Sequence, residues 1–391
     1  MLRNVWLVPA AGATVFLTIL LFTLNAPPLT GSKLGSNGYT VGMNPKYVIA
    51  VDLNHDGILD IVTANFSSNT VSVVLGQARG TFGPAASFAV GTNPTSIAAA
   101  DFNEDGNIDL VVSNVNNGCL GCSGVSLLTG NGDGTFKQQR PLFVDTFSAA
   151  VAAADLNGDG HVDLVVGDSQ YTYVLAGRGN GTFAKAVAYP AGRCPHNIVI
   201  ADFNLDGKLD IATANYNSNT VSVMLGNGDL TFQPIITYPV GIRPHDVISA
   251  DLNGDGFPDL ITANQNSNDL SILYGNGDGT FQSAISYPSS PNPSAVAAID
   301  FNNDGRLDLV VTNSSCISDS SSCNYPASNA VLLLNAGGGI LTPTITYSVG
   351  TGPDAIVSAD FNSDGRPDLA VATLHNNTVQ ILLGSGDGTF H

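Results

Sequence analysis

The sequence predicts an all-β fold: a seven-bladed β-propeller of four-stranded antiparallel blades, closed by an N-terminal strand that completes the last blade. Three observations predict it. An acidic nonapeptide recurs seven times, beginning at residues 52, 101, 155, 202, 251, 300 and 360, so successive copies lie 49, 54, 47, 49, 49 and 60 residues apart. A strand-rich repeat of about fifty residues is the signature of propeller blades or a solenoid. Each repeat holds four short runs of strand-forming residues separated by Gly, Asn and Asp turns. The ends are complementary: the last unit stops at "GDGTFH" without its fourth strand, whereas "GYTVG" at 38–42 precedes the first unit and matches "TYPVG" at 237–241. Supplying the missing strand from the other terminus removes the exposed edges that an open array would have to cap.

Composition supports this reading. The chain has 391 residues, 43% of them hydrophobic, and a net charge of −19 from 13 Lys and Arg against 32 Asp and Glu. Glu104 is the sole Glu. Asp, Asn and Gly belong to turns and ion cages rather than to helical surfaces. A strongly negative surface also excludes nucleic acid as a partner, because it repels phosphates.

From the amino end, residues 1–26 read as a signal peptide or membrane anchor: Val5 to Leu24 carry no charge and follow Arg3. Both alternatives place the bulk of the chain outside the cytoplasm, secreted or held at the membrane by that segment. "TLNA" before Pro27 is a poor cleavage site, which favours the anchor. Residues 27–38 read as a linker and 39–391 as the propeller.

In each unit a first strand such as "SIAAAD" is rich in Ala and Ser, as crowding round a central axis requires. The acidic loop follows, then "LDIATAN", a polar turn, "TVSVMLG", and "GNGDGTF" before a last strand such as "ITYPVG". The loops supply hard oxygen donors at positions 1, 3, 5 and 9. These are Asp52, Asn54, Asp56 and Asp60; Asp101, Asn103, Asp105 and Asp109; Asp155, Asn157, Asp159 and Asp163; Asp202, Asn204, Asp206 and Asp210; Asp251, Asn253, Asp255 and Asp259; Asp300, Asn302, Asp304 and Asp308; and Asp360, Asn362, Asp364 and Asp368. Position 7 offers a carbonyl and Gly at position 6 permits a sharp bend. That donor set suits calcium, with up to seven structural ions. A helix-flanked EF-hand needs Glu at position 12, where Thr or Val stands here, so a hairpin loop is expected. The seven motifs hold 22 of the 32 acids, and seven divalent ions would bring −19 to about −5. Asx turns alone would explain one or two copies, not seven.

The unit "DxNxDGxxD … NTVSVxLGNGDGTF … YPVG" resembles the FG-GAP, or VCBS, repeat of bacterial surface proteins, which is related to the integrin α-subunit propeller. The resemblance covers residues 39–391. It implies calcium in the loops between first and second strands on one face, and ligand contact through the opposite face. Two local departures are "NAGGGIL" at 335–341 in place of "GNGDGTF", and "VDTFSAA" at 144–150 without the proline that usually opens a blade.

Distinctive function is expected where the repeats differ. The spacing anomalies fall in the turn between second and third strands, as "NVNNGCLGCSG", "GDSQYT" and "NSSCISDSSSCNYPAS", on the face away from the cation loops. Two of them carry cysteine pairs. In an exported chain, Cys316 with Cys323 and Cys119 with Cys122 are expected as disulfides rather than zinc ligands, leaving Cys194 unpaired. Round the ring, the residue after the crossing proline or its equivalent is Lys46, Thr95, Ser148, His196, His245, Ser294 and Asp354. Lys46, His196 and His245, with Arg193 and Arg243 close by, form a candidate ligand site at the channel mouth, suited to an anionic group such as a uronate or sulfate. Hydrogen bonding to loop backbones is the plain alternative. The expected function is a binding or adhesion module for an extracellular glycan or protein. The rivals are a lyase-like polysaccharide enzyme centred on the same His and Arg residues, and a structural envelope component. Enzyme is the minority reading, because the chain has no G-x-S-x-G, HExxH or P-loop motif.

Overall fold

In the computed structural model, residues 38–115, 124–142, 149–314 and 328–391 are described. The N-terminal segment, all but the last residue of the linker, Ser148 and the cysteines 119, 122, 316 and 323 lie outside them. Seven four-stranded antiparallel sheets form, each with its strands in simple meander order. Blade five is typical: Pro244–Ala250 pairs with Asp259–Asn264, then Asp269–Leu273, then Ile285–Pro288. In the seventh sheet the outer strand is Gly38–Thr40, which pairs with Thr378–Leu382 in the register Tyr39 opposite Val379. The only helix among the described residues is a three-residue 3-10 turn, Ala78–Gly80.

The core follows from the two-residue period of the strands. Second strands such as Asp60–Asn65 and Asp259–Asn264 are buried at every position, because a neighbouring sheet covers each face. Seven hydrophobic clusters seal seven interfaces between adjacent blades, including one that joins Val48, Ile61 and Val74 of blade one to Phe361, Ala370 and Ile381 of blade seven. The ring therefore has no unpacked blade face.

One aromatic contact recurs between blades on the cation-loop side. The Phe of "DGTF" packs on the residue at loop position 2 of the preceding blade, edge to face where that residue is Phe. Phe281 meets Phe203 at a 5.5 Å centroid separation, and Phe390 meets Phe301 at 5.3 Å. In blade six, where "NAGGGIL" replaces the motif, Leu341 fills the equivalent place beside Leu252. Asn335 then adds an amide hydrogen bond to the Leu252 carbonyl of the preceding blade at 2.7 Å.

Candidate functional site

The first strand sets the separation between the two faces. Asp52 lies six positions after Lys46, so the blade crossings stand about 20 Å from the acidic loops.

The acidic loops are hairpin turns held by their own side chains. In blade five the Asp251 carboxylate accepts the Gly256 and Asp255 N–H groups at 2.8 and 3.1 Å, and Asp255 accepts the Phe257 N–H at 2.9 Å. Gly256 has φ +89°, the left-handed bend expected at position 6. Position 4 is left-handed too, even where it is His55, Glu104, Leu205, Asn303 or Ser363.

Position 9 has a role that spacing alone does not reveal. Asp259 is fully buried, and its two oxygens accept the Leu252 and Gly275 N–H groups, each at 2.9 Å. The same pair of bonds recurs in all seven blades, with Asn335 donating in place of Gly in blade six. Position 9 thus ties the loop to the end of the third strand. Burial raises these carboxyls above the usual range, to about 6 for Asp109, Asp210, Asp259 and Asp368.

The loops fit a hard cation in donor chemistry, since every side-chain donor is an oxygen. One of these atoms, Asp52 Oδ1, is buried without a hydrogen-bond partner. Among the described residues, however, no three His, Cys, Asp or Glu side chains are gathered as a metal cluster. Asn and backbone oxygens would have to make up the shell.

At the opposite end of the first strands, the sequence folds into a repeated β-bulge. Pairing slips by one residue just after the crossing proline in blades one, two, four, five, six and seven. The extra residues are Lys46, Thr95, His196, His245, Ser294 and Asp354. A bulge re-aims its side chain, and here all six line one cavity of about 380 Å³ at the centre of the ring. Apolar side chains such as Val48, Ile198, Val247 and Ile356 line it further in.

Four of the bulge side chains also tie their blade to the next. Thr95 donates to the Ala149 carbonyl at 2.9 Å, His196 Nδ1 to the His245 carbonyl at 3.0 Å, His245 Nδ1 to the Ser294 carbonyl at 2.7 Å and Ser294 to the Pro353 carbonyl at 2.7 Å. A carbonyl only accepts, so both histidines carry their proton on Nδ1 and leave Nε2 as an acceptor. Burial pushes His196 down to about 3 and His245 down to about 4, so both are uncharged at neutral pH. His245 Nε2 faces Asp354 Oδ1 across 4.0 Å, with both side chains almost fully buried.

The expected basic patch is therefore distributed differently. Arg243 lies over Tyr216 at 5.2 Å and donates to its hydroxyl at 3.3 Å. Tyr216 stacks on His196 at 5.3 Å, and His196 leans on His245 at 4.2 Å. Arg193 is exposed and does not line the cavity. Lys46 is the one cationic side chain in the cavity lining; its ammonium rests 4.6 Å from the centre of the Phe66 ring.

Deeper in the channel, three groups escape the spacing argument. Asp246 is buried and accepts from Val247 N, Val296 N and the Asn197 amide, while burial and the nearby Asp246 charge push Tyr47 up to about 12. The available signal was the second residue past the proline, where Tyr, Asn and Asp stand in blades one, four and five and Ser or Ala in blades two, six and seven.

Residues 30–112, 118–166, 155–213, 202–262 and 251–311 match the FG-GAP-like repeat. The chain belongs to the FG-GAP-like repeat family. The matches stop before the loop at 360, yet that FG-GAP-like loop keeps the same hydrogen bonds, with Gly365 N to Asp360 at 2.8 Å and Phe361 N to Asp368 at 2.9 Å. Comparison with curated proteins finds no match. Several solved propellers share the fold. BBS1N in complex with ARL6DN superposes with a TM-score of 0.61 at 13% identity, over 90% of this chain and 96% of that one. An Agrocybe aegerita lectin that recognises non-reducing terminal N-acetylglucosamine gives 0.52 at 20% identity, over 88% and 87%. A periplasmic gluconolactonase of Pseudomonas aeruginosa gives 0.57 at 16% identity, over 90% and 93%. At these identities the likeness establishes the fold.

Proposed function

We propose that this FG-GAP-like propeller is an exported, calcium-stabilised binding module that takes its ligand, a glycan or a protein, at the channel mouth opposite the acidic loops. The observation that carries the proposal is the bulge ring: six blades turn one side chain each into a single cavity, whereas the opposite face repeats one loop. A concave, largely apolar cavity with a few convergent polar groups is the usual form of a ligand site. Calcium would be held by the oxygens of positions 1, 3 and 5, with position 9 bracing the loop. The ion would offset like charges that otherwise face one another. Residues 1–26, with their uncharged run after Arg3, support export.

An enzyme is the second reading, favoured by the Nε2 acceptor of His245 beside the buried Asp354 carboxyl, a pair able to move a proton. Incubating the full-length protein with neutral and anionic polysaccharides separates the two. Retention without new reducing or unsaturated ends is expected. Cleavage abolished by His245→Ala contradicts the binding reading and establishes the enzyme.

A further inference from the structure

We propose that the channel mouth selects an uncharged, hydroxyl-rich ligand end, such as the terminal residue of a neutral glycan, and rejects uronates, sulfates and amino sugars. The inference rests on the binding reading above and adds the ligand class.

The polar groups facing the mouth divide unequally. His196 and His245 spend their N–H groups on backbone carbonyls, so each presents a lone pair at Nε2. Asp354 adds carboxylate oxygens. Ser294 is already bonded to Pro353 O and to Thr312. The cationic donor of the lining is the Lys46 ammonium, which rests 4.6 Å from the centre of the Phe66 ring and makes no ion pair among the described residues. Three acceptors and one multiple donor call for a ligand that mainly donates and accepts once, as neighbouring sugar hydroxyls do. The gap of 4.0 Å between His245 Nε2 and Asp354 Oδ1 is too long for a direct hydrogen bond and leaves both acceptors turned to the same space.

Charge points the same way. Lys46 is the one cation of the lining, and Asp354 and Asp246, whose carboxyls burial raises, offer an anion no further positive charge. A second ammonium would meet Lys46. Neutral imidazoles give an anionic ligand no counter-charge, and the burial that lowers their proton affinity keeps them so. Tyr216 already packs against Arg243 at 5.2 Å and His196 at 5.3 Å, so that ladder stiffens the wall and is not taken as a sugar platform.

The test measures affinity of the full-length protein for four oligosaccharide sets ending in a neutral hexose, a uronate, a sulfated hexose or an amino sugar. The neutral set is expected to bind at least about tenfold more tightly than the others, and Lys46→Met and His245→Phe are each expected to weaken it about tenfold or more. Because His245→Phe also removes a staple between blades, Lys46→Met is the decisive variant, with its melting temperature as the folding control. Tightest binding of a charged set overturns the inference while leaving a binding module in place. Neutral-set affinity unaffected by folded Lys46→Met overturns the mouth as its site. Failure of all four sets to bind overturns the inference; retention of a protein ligand in the same assay then keeps the binding reading, and its absence removes that too.

Discussion

Position 9 of the acidic loop shows how one residue type serves two ends. Asp255 at position 5 is exposed on the loop, whereas Asp259 at position 9 is fully buried and satisfies two backbone N–H groups. Asp259→Asn replaces one acceptor oxygen by a donor and leaves a buried N–H without a partner, which costs about 1–3 kcal/mol. Urea unfolding without calcium is expected to show that loss for Asp259→Asn and little change for Asp255→Asn. Added calcium is expected to raise the melting temperature of the wild type more than that of Asp255→Asn. The bulge histidines give a pH signature. Unfolded histidines take up protons near pH 6.5, whereas His196 and His245 stay neutral down to about 3 and about 4. Their contribution is present above pH 6.5 and falls as acid is added, because the unfolded state binds the protons first. Stability measured against pH is expected to fall more steeply between pH 6.5 and 4 in the wild type than in His196→Asn/His245→Asn. Equal slopes contradict the burial argument. Asp354, whose carboxyl burial raises, is common to both proteins.

Among the elements, the strands and acidic loops were legible because each signal is repeated seven times. Alternating residues, Gly and Asn turns and fixed spacing fix a blade without reference to its neighbours. The bulge was not legible in that way. It arises where a proline removes one ladder hydrogen bond and pairing resumes one residue late, so the residue after Pro244 turns inward although its sequence context marks an ordinary strand start. The loss of charge on His196 and His245 depends on burial between blades, which no local pattern records. The ring was legible as a set of equivalent positions, but the places of the two arginines beside it were not: Arg193 is exposed and Arg243 lies over Tyr216, which stands in another turn of the repeat. The aromatic contact between Phe281 and Phe203 gives a prediction at the scale of the blade interface. Phe281→Ala opens the interface of blades four and five beside Phe203 and Leu225 and is expected to cost about 3–5 kcal/mol in urea unfolding. Phe232→Ala is expected to cost less, because Phe232 is only half-buried. Equal losses contradict the ranking by burial.

At the scale of the whole molecule, the two faces divide the work. Seven near-identical acidic loops brace the hairpins of one face, and seven sealed interfaces hold the ring. The other face gathers unlike side chains from successive blades into one cavity. The sequence pointed both to the irregular turns and to the residues after the crossing prolines, and the proposed function takes the second, the bulge ring at the axis. Hydrogen–deuterium exchange of the full-length protein with and without a retained ligand tests this most directly. Protection is expected at residues 45–47, 195–197, 244–246 and 353–355, with the acidic loops unchanged. Protection centred on the acidic loops or on the outer strands, with the channel mouth unchanged, contradicts it.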